Sequence, residues 1–285
     1  MLLRLKQSGL AFLNLLFVAL AIAGVQPLVR RALGDQGALV VGAVVLVAYA
    51  LGARLLERRA PSELAPRTET PRFLGGLAIG IALFSGVMGV LWVLGAYEPS
   101  GLGTLSRLPG GLALAFAVGV AEEVLFRGLL FRIVERLAGT WGALLVGAAL
   151  FGLAHGKNPG ATLWSDLAIA VEAGLLLGAA FAATRGLGLP IGIHVGWNFT
   201  EGSVFGVTAS GAHAVPGAVA GVLEGPAFLT GGAFGPENSA PAVALCLLLA
   251  VWLLRSVVRH GRVEPPCWSR AVRLATRPAA APPSA

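Results

Sequence analysis

The stretch AEEVLFRGLLF, Ala121 to Phe131, sets two adjacent carboxylates and a guanidinium into a run otherwise suited to lipid. A charged side chain at bilayer depth is costly, and such residues face a bundle interior or a partner. On a helix Glu122 and Glu123 point about 100° apart, so they take separate roles. Glu123 and Arg127 are four apart and can pair on one face. Such a pair offsets part of the cost of burying either charge. Glu122 is left without a local partner, beside Leu125 and Phe126. It needs donors or cations from other helices. A purely structural reading, in which both glutamates lock helices together, stays open on these residues alone.

The rest of the chain agrees with lipid. Of 285 residues, 56% are hydrophobic and only 12% charged, and the mean hydropathy is +0.80. Soluble domains carry about 25% charged residues. The only long non-apolar stretches run from Arg54 to Arg72 and through the C-terminal tail. The net charge of +7 does not point to nucleic acid, because the arginines sit at the ends of apolar runs, as in membrane proteins. The two cysteines, Cys246 and Cys267, have no metal or redox spacing. A membrane crossing needs roughly 20 apolar residues. Runs at 8–29, 37–56, 73–97, 111–131, 139–155, 162–182, 187–205 and 240–258 meet or approach that length. The fold expected is therefore all-α, a polytopic membrane bundle of about eight helices. Residues 1–260 form one integral-membrane domain, with its motif-bearing core at about 105–205. Residues 261–285 read as a basic, Pro/Ala-rich, disordered cytoplasmic tail. The first run is read as a retained helix rather than a cleaved signal, since further crossings follow it. Lys and Arg fall mostly on one side of this map, which sets both termini in the cytoplasm. The segment 206–239 is too interrupted by Gly and Pro for a simple crossing and reads as an outer loop, partly re-entrant.

Polar residues inside the apolar runs carry the chemistry. FGLAH ends in His155, and HVGWNF places His194 and Asn198 four apart on one face. With Glu122, these groups come from three separate runs and are expected to enclose a small wet site. A glutamate and a histidine can hold a water and take its proton as it attacks a carbonyl. His194 and Asn198 can hydrogen-bond the oxyanion that develops. Alternatively, Glu122, His155 and His194 can ligate zinc, or another divalent metal, and activate the same water. Both readings end in hydrolysis. The contiguous zinc-peptidase pattern HExxH is absent, and no serine or cysteine stands in a nucleophile context. Straight helices would scatter these groups by roughly 10 Å along the membrane normal. Tilted or broken helices are required, and Gly186, Gly188, Pro190 and Gly192 allow one near His194.

Together EEVLFR (Glu122, Glu123, Arg127), FGLAH (Phe151, His155) and HVGWN (His194, Asn198) resemble the CPBP family of intramembrane proteases. These are the CAAX prenyl proteases of Rce1 type, also called the Abi family, with the pattern EExxxR, FxxxH and HxxxN. The resemblance implies Glu122 as general base acting with His155, His194 and Asn198 as the oxyanion pair, and Glu123, Arg127 and Phe151 in support. It favours metal-free chemistry without excluding zinc. A membrane-associated peptide or protein is the implied substrate and membrane lipid the surroundings, with no nucleic acid. The composition is that of a high-GC bacterium. A non-catalytic membrane protein of the same scaffold, acting in immunity or partner binding, is the alternative. A transporter ranks below it, since no internal repeat is found.

Overall fold

The computed structural model describes residues 2–33 and 37–269. Apolar residues on every face build a bundle of long helices: α1 (Leu2–Leu33), α2 (Ala38–Leu55), α3 (Pro66–Val93), α4 (Leu108–Glu123) and α5 (Arg132–His155). Then follow α6 (Leu163–Ile169), α7 (Leu176–Thr184), α8 (Gly188–Phe199), the short α9 (Ala227–Thr230) and α10 (Ala240–Arg259). Helices that are apolar all round belong in lipid or in a core. Among the described residues, six are long and apolar enough to cross a membrane. Large side chains such as Leu20, Val93, Leu145, Leu248 and Trp252 stay exposed on the outside, where lipid covers them. The chain is an integral, multi-pass membrane protein.

The expected crossings map onto these helices with two differences. The runs 111–131 and 139–155 lie in one helical stretch, Leu105–His155. It bends at Gly139, whose φ of 74° is open to glycine. The run 187–205 is helical but is not among the six long apolar helices. It lies inside the bundle, and nine of the twelve α8 residues are buried. A small ribbon, unforeseen from the sequence, joins the bundle. Strands β1 (Tyr97–Leu102) and β2 (Val219–Leu223) pair antiparallel, with Tyr97 opposite Leu223.

Among the described residues, three π-helical segments interrupt the α-helices. Val124–Phe131 follows α4, Ala170–Leu175 joins α6 to α7, and Thr200–Phe205 follows α8. Such widened turns recur at functional sites. The tightest packing is between α3 and α8. Gly76 and Gly80 face Gly192 and Gly196, and a Cβ on Gly80 would overlap the Ile193 carbonyl. With small residues on both sides, the two backbones meet directly.

A charge network sits beyond the end of α2. Glu57 accepts from Asn14 Nδ2 at 2.8 Å, Arg59 Nε at 2.9 Å and Arg132 Nη2 at 2.7 Å, tying α1 and α5 to the connection after α2. Burial alone would raise its carboxyl, but the hydrogen bonds from Arg59 and Arg132 outweigh it and lower the pKa from 4.5 to about 2. Of the tail, residues 270–285 lie outside the described residues. The segment before them packs into the α5 bend, where Thr140 N donates to the Glu264 carbonyl at 2.9 Å and Glu264 N donates to Thr140 Oγ1 at 2.8 Å.

Candidate active site

The site begins where α4 ends. Glu123 is fully buried, and its Oε1 accepts from Arg127 Nη1 at 2.6 Å. Arg127 is itself buried. Its Nη2 donates to the carbonyls of Ala173 and Gly174, at 2.8 and 3.1 Å, both in the second π segment. Its guanidinium lies 4.7 Å from the centre of the Phe151 ring, a cation–π contact. The i, i+4 pair expected at Glu123 and Arg127 is thus formed, and it locks α4 onto the α6–α7 helix.

Glu123 also does something not expected of it. The same Oε1 accepts from His194 Nδ1 at 3.0 Å. A carboxylate on one ring nitrogen sets the tautomer and the orientation of the imidazole. His194 Nε2 is left on the side of Glu122, 3.9 Å from its Oε2. That oxygen has no hydrogen-bond partner. The two adjacent glutamates therefore flank one imidazole, one on each ring nitrogen. Their roughly 100° separation on α4 provides that geometry.

His155 closes α5. Its Nδ1 lies 2.8 Å from the Phe151 carbonyl. A carbonyl only accepts, so Nδ1 carries the proton and Nε2 of the neutral ring has a free lone pair. Phe151 is buried beneath both histidines, with ring centroids 5.0 Å from His155 and 6.2 Å from His194. Glu122, His155, His194 and Asn198 all line one cavity of about 1050 Å³. A π segment and the bend at Gly139 lie along the helical stretch between Glu122 and His155.

The zinc alternative fares differently. Among the described residues, no three His, Cys, Asp or Glu side chains are grouped closely enough to hold a metal ion. Glu122, His155 and His194 share a cavity wall but are not gathered as a ligand set. Glu123 and the Phe151 carbonyl engage Nδ1 of His194 and of His155, which leaves Nε2 of each ring facing away from those partners. No step is routed through a metal below.

The cavity has residues that the sequence motifs miss. Glu172, in the second π segment, and Glu237, just before α10, both line it. Ser210 Oγ donates to Glu237 Oε1 at 2.7 Å. Burial pushes the Glu237 carboxyl above the ordinary carboxylate range, opposed by the hydrogen bond from Ser210. Glu201 sits behind this wall, fully buried. A signal for it exists in the sequence, because Glu201 is seven residues after His194 and three after Asn198, on the same helix face. The segment 206–239, read as an outer loop, supplies Val207, Ser210 and His213 to the cavity wall.

The fold and site together define a multi-pass membrane protein with an acidic, histidine-containing cavity inside its bundle. Residues 104–200 match the Rce1-like family, described as type II CAAX prenyl endopeptidase Rce1-like. The match covers less than half of the chain but contains every residue of the three motifs. No curated protein matches the chain, and neither does any solved structure.

Proposed function

We propose that the chain is an intramembrane endopeptidase that hydrolyses a peptide bond of a membrane-associated protein or peptide. The observation that carries this reading is the shared cavity of Glu122, His155, His194 and Asn198, with His194 oriented by Glu123. The Glu122 carboxylate, whose Oε2 has no hydrogen-bond partner, holds a water and takes its proton as the water oxygen attacks the scissile carbonyl. His155 presents its lone pair at Nε2 and helps to hold that water. The carbonyl oxygen becomes an oxyanion, to which doubly protonated His194 and Asn198 donate hydrogen bonds. The proton on Glu122 then passes to the amide nitrogen as the C–N bond breaks. This releases a free amine and a carboxylic acid. Arg127 neutralises Glu123, which keeps the His194 acceptor in place. The excess of arginine at one set of helix ends puts both termini in the cytoplasm in this reading.

The test is cleavage of membrane-anchored peptides by the purified protein in lipid vesicles. Glu122→Gln keeps the shape and removes the base. It should lower the rate by roughly 10²–10⁴-fold while the protein stays folded. Cleavage at the wild-type rate by E122Q would remove Glu122 from the mechanism.

A further inference from the structure

The inference concerns the wall of the same cavity away from the two histidines, and it rests on the peptidase reading. Glu172, Glu201 and Glu237 come from three separate parts of the chain and are all buried. Glu201 is fully buried and neither of its carboxylate oxygens has a hydrogen-bond partner. It faces the carboxylates of Glu237 and Glu172 and the indole of Trp197. No lysine or arginine is among these neighbours. Glu172 has Cys246 Sγ at 4.0 Å, a weak donor at best. Structural buried carboxylates normally have an arginine, as Glu123 has Arg127. These three do not, although Ser210 serves one oxygen of Glu237.

Burial and mutual repulsion both disfavour three ionised carboxylates on their own, and a cation placed among them relieves both. The cavity lining adds to the imbalance. Glu122, Glu172 and Glu237 line it, while Arg107 is the one lysine or arginine among its described lining residues. The carboxylates are not gathered tightly enough to hold a metal ion. An organic cation suits them better, since several N–H donors can reach acceptors spread more widely.

We infer that Glu172, Glu201 and Glu237 form a subsite for the cationic side chain, lysine or arginine, of the peptide substrate. Glu172 and Glu237 meet the ammonium or guanidinium at the cavity wall, and Glu201 stabilises it from behind. The enzyme then selects a basic residue at a fixed distance from the scissile bond, because cavity wall and Glu122 belong to one rigid bundle. An uncharged isostere leaves the carboxylates unmatched, which is how a polar site rejects an analogue lacking the complementary group.

The experiment uses the full-length protein in lipid vesicles and membrane-anchored peptides randomised around a central segment. Cut products are read by mass spectrometry. Lysine or arginine should be enriched at one position relative to the cut. A matched peptide pair with lysine or norleucine at that position should differ in kcat/KM by about thirtyfold or more. Glu237→Gln and Glu172→Gln should each shrink that ratio by about tenfold, and the pair together should abolish it. Cleavage without a basic preference, or a preference unchanged in these variants, overturns the subsite and leaves the peptidase reading standing. If no peptide is cut, the peptidase reading fails. The subsite is then decided by binding, with lysine and norleucine peptides bound equally overturning it and tighter binding of the lysine peptide supporting it.

Discussion

Glu123 offers the sharpest test, because one oxygen serves both a structural and a chemical partner. Its Oε1 accepts from Arg127 at 2.6 Å and from His194 at 3.0 Å, while Oε2 has no partner. In Glu123→Gln the amide oxygen can still occupy the Oε1 position and keep both bonds. Only the charge is lost. Arg127 then becomes a buried guanidinium supported by two backbone carbonyls and an aromatic face. Breaking a buried pair in this way costs about 3–5 kcal/mol. For a chain of this size that is roughly 6–20 °C of melting temperature, read by circular dichroism or intrinsic fluorescence in detergent. Replacing both partners with apolar residues, Glu123→Leu with Arg127→Met, removes the stranded charge. Such replacements are often neutral, so the double variant should melt close to the wild type. It should still cleave about 10²-fold or more slowly, because His194 has lost the acceptor on Nδ1. Stability and activity are thus expected to separate. A double variant that regains both would refute the orienting role assigned to Glu123. An E123Q protein that melts like the wild type would refute the charge argument.

Three further outcomes are expected. The Glu57 carboxyl titrates lower in the folded chain than in the unfolded one, so its contribution is present above pH 4.5 and fades as pH falls toward about 2. Acid unfolding between pH 5 and 2 should be steeper in the wild type than in Glu57→Gln, and equal slopes would contradict the network. Gly80→Ala should lower both stability and cleavage, by about 1–3 kcal/mol in stability, because the new methyl overlaps the Ile193 carbonyl. Gly75→Ala, with open space around it, should be neutral or slightly stabilising. In intact cells, a membrane-impermeant maleimide should label Cys267 only after permeabilisation, and buried Cys246 not at all. Labelling of Cys267 from outside would reverse the orientation of the bundle.

Much of the site is legible in the sequence because polar groups are conspicuous in apolar runs. Glu122, His155, His194 and Asn198 stand out for that reason, and the Glu123–Arg127 pair follows from helical spacing. The bond from Glu123 to His194 is not legible. It joins residues 71 apart, and it depends on how far each of two helices is rotated about its own axis. Spacing also cannot say whether three donors meet at ligand distance or merely share a wall. Glu172 and Glu201 have the same signature as Glu122, a carboxylate in an apolar run, yet no motif draws attention to them. The β-ribbon joins Tyr97 to Leu223, a pairing that no local pattern encodes. The bend at Gly139 turns on one glycine among 40, and only the docking of Glu264 to Pro266 against it distinguishes that position.

The glycine seam between α3 and α8 has a consequence for how the bundle tolerates its surroundings. Bilayers differ in thickness, and proteins answer with tilt or local distortion. Lipid-facing helices feel that strain first. The helix bearing His194 and Asn198 is screened from lipid and clasped backbone to backbone, with no yielding side-chain layer in between. Since α3 is itself lipid-facing, swelling or thinning of the membrane passes through that seam directly to the helix carrying His194 and Asn198.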